Sequence, residues 1–172
     1  MVPLPSQLLG LVLQVQGNGV DVNVNPGAGL VGGAVSAFLT TLIVGAILVA
    51  LAPGYTEKMM AYVRDEPIGS AIYGVLSLVL VLVLMVILVI TIVGILLAIP
   101  LGIVLFVAWA VGAAIAYLAI AERLVGREDG WTKPLLVGAA INGGLALTGI
   151  GGIVSFCIGA AGFGAVLRNW LN

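Results

Sequence analysis

The chain has 172 residues, of which 62% are apolar, six are Lys or Arg, seven are Asp or Glu, and none is His. Soluble domains are about 45–50% apolar, so this composition excludes an ordinary soluble domain and predicts an integral membrane protein. Six cations offer no basic patch for nucleic acid, and one cysteine without histidine excludes a catalytic triad or a metal cluster of the usual kinds.

The N-terminal tail, residues 1–29, has Asp21 as its only charge, and no Lys or Arg precedes its short apolar run at residues 8–13. A cleaved signal peptide is therefore not expected. Apolar residues at positions 13, 15, 20, 22 and 24 alternate with polar ones around residues 17–19 (GNG). This alternation predicts a small β-hairpin, which we expect outside the membrane.

A first span is predicted at residues 30–51, followed by an amphipathic helix at residues 55–66. In that helix Tyr55, Met59, Tyr62 and Val63 share one face, with charged residues on the other sides. This pattern is typical of a helix lying in the membrane interface, and Pro67 would end it. A solvated loop helix is the alternative, although the two tyrosines favour the interface.

Two charge-free runs follow, and their lengths predict hairpins. Residues 67–121 would form a helix of roughly 80 Å, more than twice the hydrocarbon thickness, so we predict spans at 69–90 and 97–120 with a turn near Thr91 and Gly94. Residues 134–167 would form roughly 50 Å of helix, with five glycines near the middle. We predict short spans at 134–148 and 151–168 joined near Thr148 and Gly151, with one long, kinked and tilted helix as the alternative.

The predicted fold is therefore an all-α membrane domain over residues 30–172 with about five spans. Both turns have the pattern T-x-x-G, which an internal duplication would explain. Chance is the competing explanation in a chain so rich in glycine and valine.

With these spans, all six cations lie on one side of the membrane, and the positive-inside rule assigns that side to the cytoplasm. The N-terminus then lies outside and the C-terminus inside. Aromatic residues expected at the same headgroup boundary are Tyr55, Tyr62, Tyr73, Tyr117, Trp131 and Trp170. We take Tyr55, Tyr62, Trp131 and Trp170 as the interfacial anchors.

Small residues repeat at i+4 in two predicted spans. They are Ala108, Gly112 and Ala116 in one span, and Gly151, Ser155 and Gly159 in the other. Such stripes let helices approach closely, either within the chain or between subunits. Asn142 is the most polar residue in a span and would hydrogen-bond a neighbouring helix or line a pore; Thr40, Thr41 and Ser155 are other polar residues at this depth.

Three segments carry a family resemblance: residues 66–70 (EPIGS), the amphipathic helix before them, and residues 90–95 (ITIVGI). They resemble the C-terminal membrane domain of archaeal, especially haloarchaeal, bactofilin-like polymer-forming surface proteins. The resemblance covers about residues 28–168 and implies a membrane-anchoring or scaffolding module. Leu96 replaces the family's turn proline, and residues 15–25 are at most a remnant of its β-helical region, so polymerisation is not implied.

The sequence thus predicts a non-enzymatic anchor, scaffold or assembly subunit of the cell envelope, multi-pass in the plasma membrane and without a cofactor. The expected partners are the lipid bilayer and further copies of the chain or other subunits of an envelope assembly. An oligomeric pore or small-solute channel is the alternative. Proton-coupled transport is disfavoured because the predicted spans contain no charged residue except Arg168, at the cytoplasmic end of the last span.

Overall fold

The computed structural model describes the backbone of residues 26–148 and 150–171, and the side chains of these residues except 26–28, 92–93 and 170–171. This part of the chain contains six helices and no strand: α1 (Pro26–Leu51), α2 (Pro53–Asp65), α3 (Pro67–Ile90), α4 (Ile92–Val125), α5 (Thr132–Leu147) and α6 (Gly151–Leu171). The all-helical class is confirmed for the described residues. The predicted β-hairpin lies outside them.

Four helices are long and apolar enough to cross a membrane. The qualifying segments are Gly29–Leu51, Pro67–Ile90, Gly94–Val125 and Gly151–Asn169. Helix α5 has 16 residues and is about 24 Å long, which is shorter than a hydrocarbon core of about 30 Å. The structure therefore supports four candidate spans, whereas the sequence predicted about five.

Both hairpin turns have the same local geometry. Thr91 and Thr148 have extended backbones, and their hydroxyls donate to the carbonyls of Leu88 (3.0 Å) and Leu145 (2.8 Å). A Cβ on the glycine three residues after either threonine would overlap that same carbonyl oxygen. The shared T-x-x-G pattern thus specifies a tight helix-to-helix turn, and the internal duplication stays a hypothesis.

The structure moves the start of one predicted span and decides between two predicted alternatives for another segment. Helix α4 begins at Ile92 and contains Pro100, whereas we predicted a span starting at residue 97 after a turn through that proline. The reason is the Thr91 side chain, which accepts a hydrogen bond from the Gly94 amide (3.0 Å) and so caps the helix early. Residues 134–168 form two helices instead of the alternative single long one, because the chain leaves the helix at Thr148.

Helix α4 lies at the centre of the bundle and contacts the five other described helices. It crosses α6 where Gly112 meets Gly162: a Cβ on Gly112 would lie 2.5 Å from the Phe163 nitrogen, and one on Gly162 would overlap the Gly112 carbonyl. Helix α3 packs on α6 in the same way, through Gly74 against the Ala160 carbonyl. Backbone-to-backbone contact through small residues is how helices associate in lipid.

The halves of α3 and α4 next to the Thr91 turn expose large apolar side chains on every side. Examples are Leu80, Ile90, Leu96 and Phe106, which are 70–78% exposed. In water such a surface would be costly, since each large side chain gains about 1.5–3 kcal/mol by leaving it. This surface indicates a membrane protein in which the α3–α4 hairpin faces lipid.

Candidate functional site

Helix α2 closes one end of the bundle with its apolar face. The buried residues of α2 are Thr56, Met59, Met60 and Val63, at the i, i+3, i+4 and i+7 spacing of one helix face. The sequence had placed Tyr55 and Tyr62 on this face, but Tyr55 is half-buried and Tyr62 is 36% exposed. The buried face of α2 differs from the predicted one because α2 packs on other helices. Met59 and Met60 join a buried cluster with Ile115, Leu118 and Val166.

Ion pairs tie this closed end together. Arg64 pairs with Glu122 (3.1 Å), and Arg127 pairs with Glu57 (2.8 Å) and Glu122 (3.7 Å). Two further pairs are Arg168 with Glu66 and Lys133 with Asp129. These groups are partly exposed, so each pair contributes at most about 1 kcal/mol. Their placement shows that the charged residues of α2, of the α4–α5 loop and of the C-terminus of α6 meet at one end of the bundle.

Those predicted interfacial anchors whose side chains the structure describes lie at or near this charged end. Trp131 is half-buried, and the Arg127 guanidinium lies 4.3 Å from the centroid of its ring. Burial raises the pKa of the Tyr55 hydroxyl. The Trp170 side chain lies outside the described residues.

The predicted small-residue stripes lie inside the chain. Gly112 and Ala116 are buried at the α4–α6 crossing, and Ala108 is half-buried. Gly151 belongs to the α5–α6 turn, and a Cβ on Gly159 would lie 2.7 Å from the Trp109 ring. Of the two roles left open by the sequence, the structure supports contact between helices of one chain.

A polar cluster joins α1, α5 and α6 at mid-bundle. The Asn142 amide donates to the Thr41 hydroxyl (2.7 Å) and to the Ala37 carbonyl (3.3 Å). The Ser155 hydroxyl donates to the Asn142 amide oxygen (3.4 Å). Asn142 therefore makes the interhelical hydrogen bonds that were one of its two predicted roles.

The same cluster borders a cavity of about 290 Å³. Its lining residues are Trp109, Ala113, Tyr117, Asn142, Gly152, Ser155 and Phe156. Tyr117 is 1% exposed, and its buried hydroxyl has no hydrogen-bond partner among the described residues. The cavity thus presents neutral hydrogen-bonding groups and three aromatic side chains, which suit water or a small uncharged solute and supply no general base.

Tyr117 was predicted at the headgroup boundary, whereas its ring points into the bundle. A sequence signal for this existed, because Trp109, Ala113 and Tyr117 are spaced at i+4 and so share one face of α4. That face meets Asn142 and Ser155 only through the packing of α5 and α6. No group of metal-ligating side chains occurs among the described residues.

A family model described as a domain of unknown function, DUF8173, matches residues 6–172. The chain belongs to this family. No curated protein and no solved structure matches the chain significantly. The DUF8173 description names no activity, and the resemblance to bactofilin-like proteins stays a prediction.

Helix α1 of this DUF8173 chain carries a feature that the sequence reasoning missed. Gly32, Ser36 and Thr40 lie at i+4 spacing and are exposed. Helical geometry of about 100° per residue places them opposite the buried Ala34, Thr41 and Gly45. The small-residue spacing that closes α4 on α6 is therefore repeated on an outward face of α1.

Proposed function

We propose that this protein is a non-enzymatic, multi-pass protein of the cell membrane that acts as a structural anchor or assembly subunit and associates with further copies of itself. The positive-inside rule, applied to the clustered cations, places the charged end in the cytoplasm and the N-terminus outside. The resemblance to a membrane-anchoring module supports the same role.

The outward stripe of α1 carries the proposal of self-association. Gly32, Ser36 and Thr40 are exposed, and small residues at this spacing allow two helices in lipid to approach until their backbones touch. The Ser36 and Thr40 hydroxyls could then bond across the interface. Small polar residues offer no advantage on a surface that contacts only lipid, since larger apolar side chains contact lipid equally well.

Packing at the charged end favours a structural role over conduction through one chain. Met59, Met60 and Ile115 are 0% exposed, and Leu118 is 1% exposed. These side chains fill the bundle beneath α2. The polar cavity beside Asn142 favours an oligomeric pore only as a second candidate.

Disulfide trapping in membranes tests the self-association. In a Cys157→Ala background, which removes the only native cysteine, Ser36→Cys should give an oxidant-dependent dimer. The matched control is Ala140→Cys, an exposed small position on α5, which should stay monomeric. Equal trapping at both positions would reflect random collision and would contradict an interface on α1.

Conductance measurements test the second candidate. Reconstituted protein should show no specific current if it is only a scaffold. A current that Asn142→Leu abolishes, while Ala140→Leu preserves it, would overturn the scaffold proposal in favour of the pore.

A further inference from the structure

An apolar groove at the charged end is bordered by two arginines. Its volume is about 280 Å³, and its lining residues are Val63, Arg64, Pro67, Ala116, Ala119, Ile120, Arg123, Cys157, Ile158 and Ala161. The floor is formed by small and aliphatic side chains of α4 and α6, and Cys157 is exposed. The groove thus joins the lipid-facing side of the bundle to its charged end.

The two arginines differ in their partners. Arg64 is paired with Glu122, whereas Arg123 is exposed and has no ion pair within the described part of the chain. Glu122, the adjacent carboxylate on α4, is already shared between Arg64 and Arg127. A cation without a counter-ion among the described residues therefore borders an apolar groove.

We infer that this groove binds one anionic phospholipid, with the phosphate at Arg123 and Arg64 and the upper part of an acyl chain along Ala116, Ala119 and Ala161. A guanidinium offers a phosphate two parallel N–H donors, and such charge-assisted bonds are stronger than neutral ones. Basic pockets between membrane helices at the cytoplasmic side bind anionic headgroups by this combination of charge and apolar surface.

Two features favour a lipid over a free phosphate ion. The groove's surface is overwhelmingly apolar, so an inorganic ion would leave most of it uncovered. A lipid chain covers that surface while its headgroup supplies the missing counter-charge. The groove holds only part of a lipid, so the remaining chain would lie against the exposed side of α6.

Native mass spectrometry of the full chain in detergent tests this site. The ligands are phosphatidylglycerol and phosphatidylcholine with identical acyl chains. We expect phosphatidylglycerol to saturate at one lipid per chain and to bind at least tenfold more tightly than phosphatidylcholine. Arg123→Gln should reduce this preference about tenfold, whereas Lys133→Gln, which removes a cation paired with Asp129, should leave it unchanged.

Two further experiments test the apolar part and the phosphate-binding part of the site separately. Ala161→Leu fills the groove at a half-buried position and should weaken both lipids without changing the thermal midpoint by more than a few degrees. Glycerol phosphate at millimolar concentration should not displace the lipid; displacement would show a phosphate site that does not use the chain. Equal affinity for the two lipids, or an unchanged preference in Arg123→Gln, would overturn the inference.

Discussion

The close backbone contact between α4 and α6 makes Gly112→Ala an informative substitution. A Cβ at Gly112 would lie 2.5 Å from the Phe163 nitrogen and 2.7 Å from two further backbone atoms of α6. Ordinary contacts begin at 3.4 Å, so α4 and α6 would have to separate by about 1 Å. Backbone atoms cannot rotate away as the end of a flexible side chain can.

The expected change in the free energy of unfolding of Gly112→Ala is the difference between two opposing effects. Overpacking costs typically about 1–3 kcal/mol, whereas replacing a helical glycine by alanine gains up to about 1 kcal/mol. The net destabilisation should be about 1–2 kcal/mol, which corresponds to roughly a 5- to 30-fold shift in the folding equilibrium. Separation of the helices would also loosen Phe163 against Trp109, whose ring centroids lie 6.0 Å apart.

The assay is reversible unfolding in mixed micelles by increasing SDS, followed by tryptophan fluorescence. The matched control is Gly144→Ala in α5, where an added Cβ meets nothing within 4 Å; it should be neutral or slightly stabilising. Equal stability of the two variants would refute the close approach of α4 and α6.

Four other substitutions test separate features of the chain. Met60→Ala should destabilise by about 2–5 kcal/mol because the side chain is wholly buried under α2, while Lys58→Ala on the exposed side should change the SDS midpoint little. Thr91→Val should cost about 1 kcal/mol by removing the cap of α4, and Thr91→Ser should restore most of it in the same titration. Tyr117→Phe removes a buried hydroxyl without a partner among the described residues and should be neutral or stabilising by about 1 kcal/mol; a clear loss would show that the hydroxyl bonds to water or a solute. In a Cys157→Ala background, Asp129→Cys should resist an impermeant thiol reagent in intact cells, and labelling there would reverse the proposed orientation.

The sequence predicted the helical segments well where one residue, or the length of one run, has a single structural consequence. Pro67 follows the end of α2, as predicted, because a proline disfavours helical backbone in the residue before it. The charge-free runs must fold back because they exceed the membrane thickness. The threonine turns were located correctly, but the early start of α4 was missed. Its cap depends on the Thr91 rotamer, which composition does not reveal.

The polar site was predictable only in part. Asn142 stood out by itself, because an amide is rare in an apolar helix. Its partners Thr41 and Ser155 are 101 and 13 residues away in sequence, so their meeting depends on the packing of three helices. The inward orientation of Tyr117 likewise depends on the rotation of α4.

By itself, the sequence determined that the chain belongs in a membrane and that its charged residues fall between the apolar segments, because both follow from the energetic cost of placing charges in hydrocarbon. Only the tertiary structure decided which glycines bring backbones together within the chain, which small residues of α1 face outward, and that Arg123 borders a groove without a counter-ion among the described residues. Those properties depend on the rotation of each helix about its axis, and an apolar helix in lipid carries little amphipathic pattern to reveal that rotation.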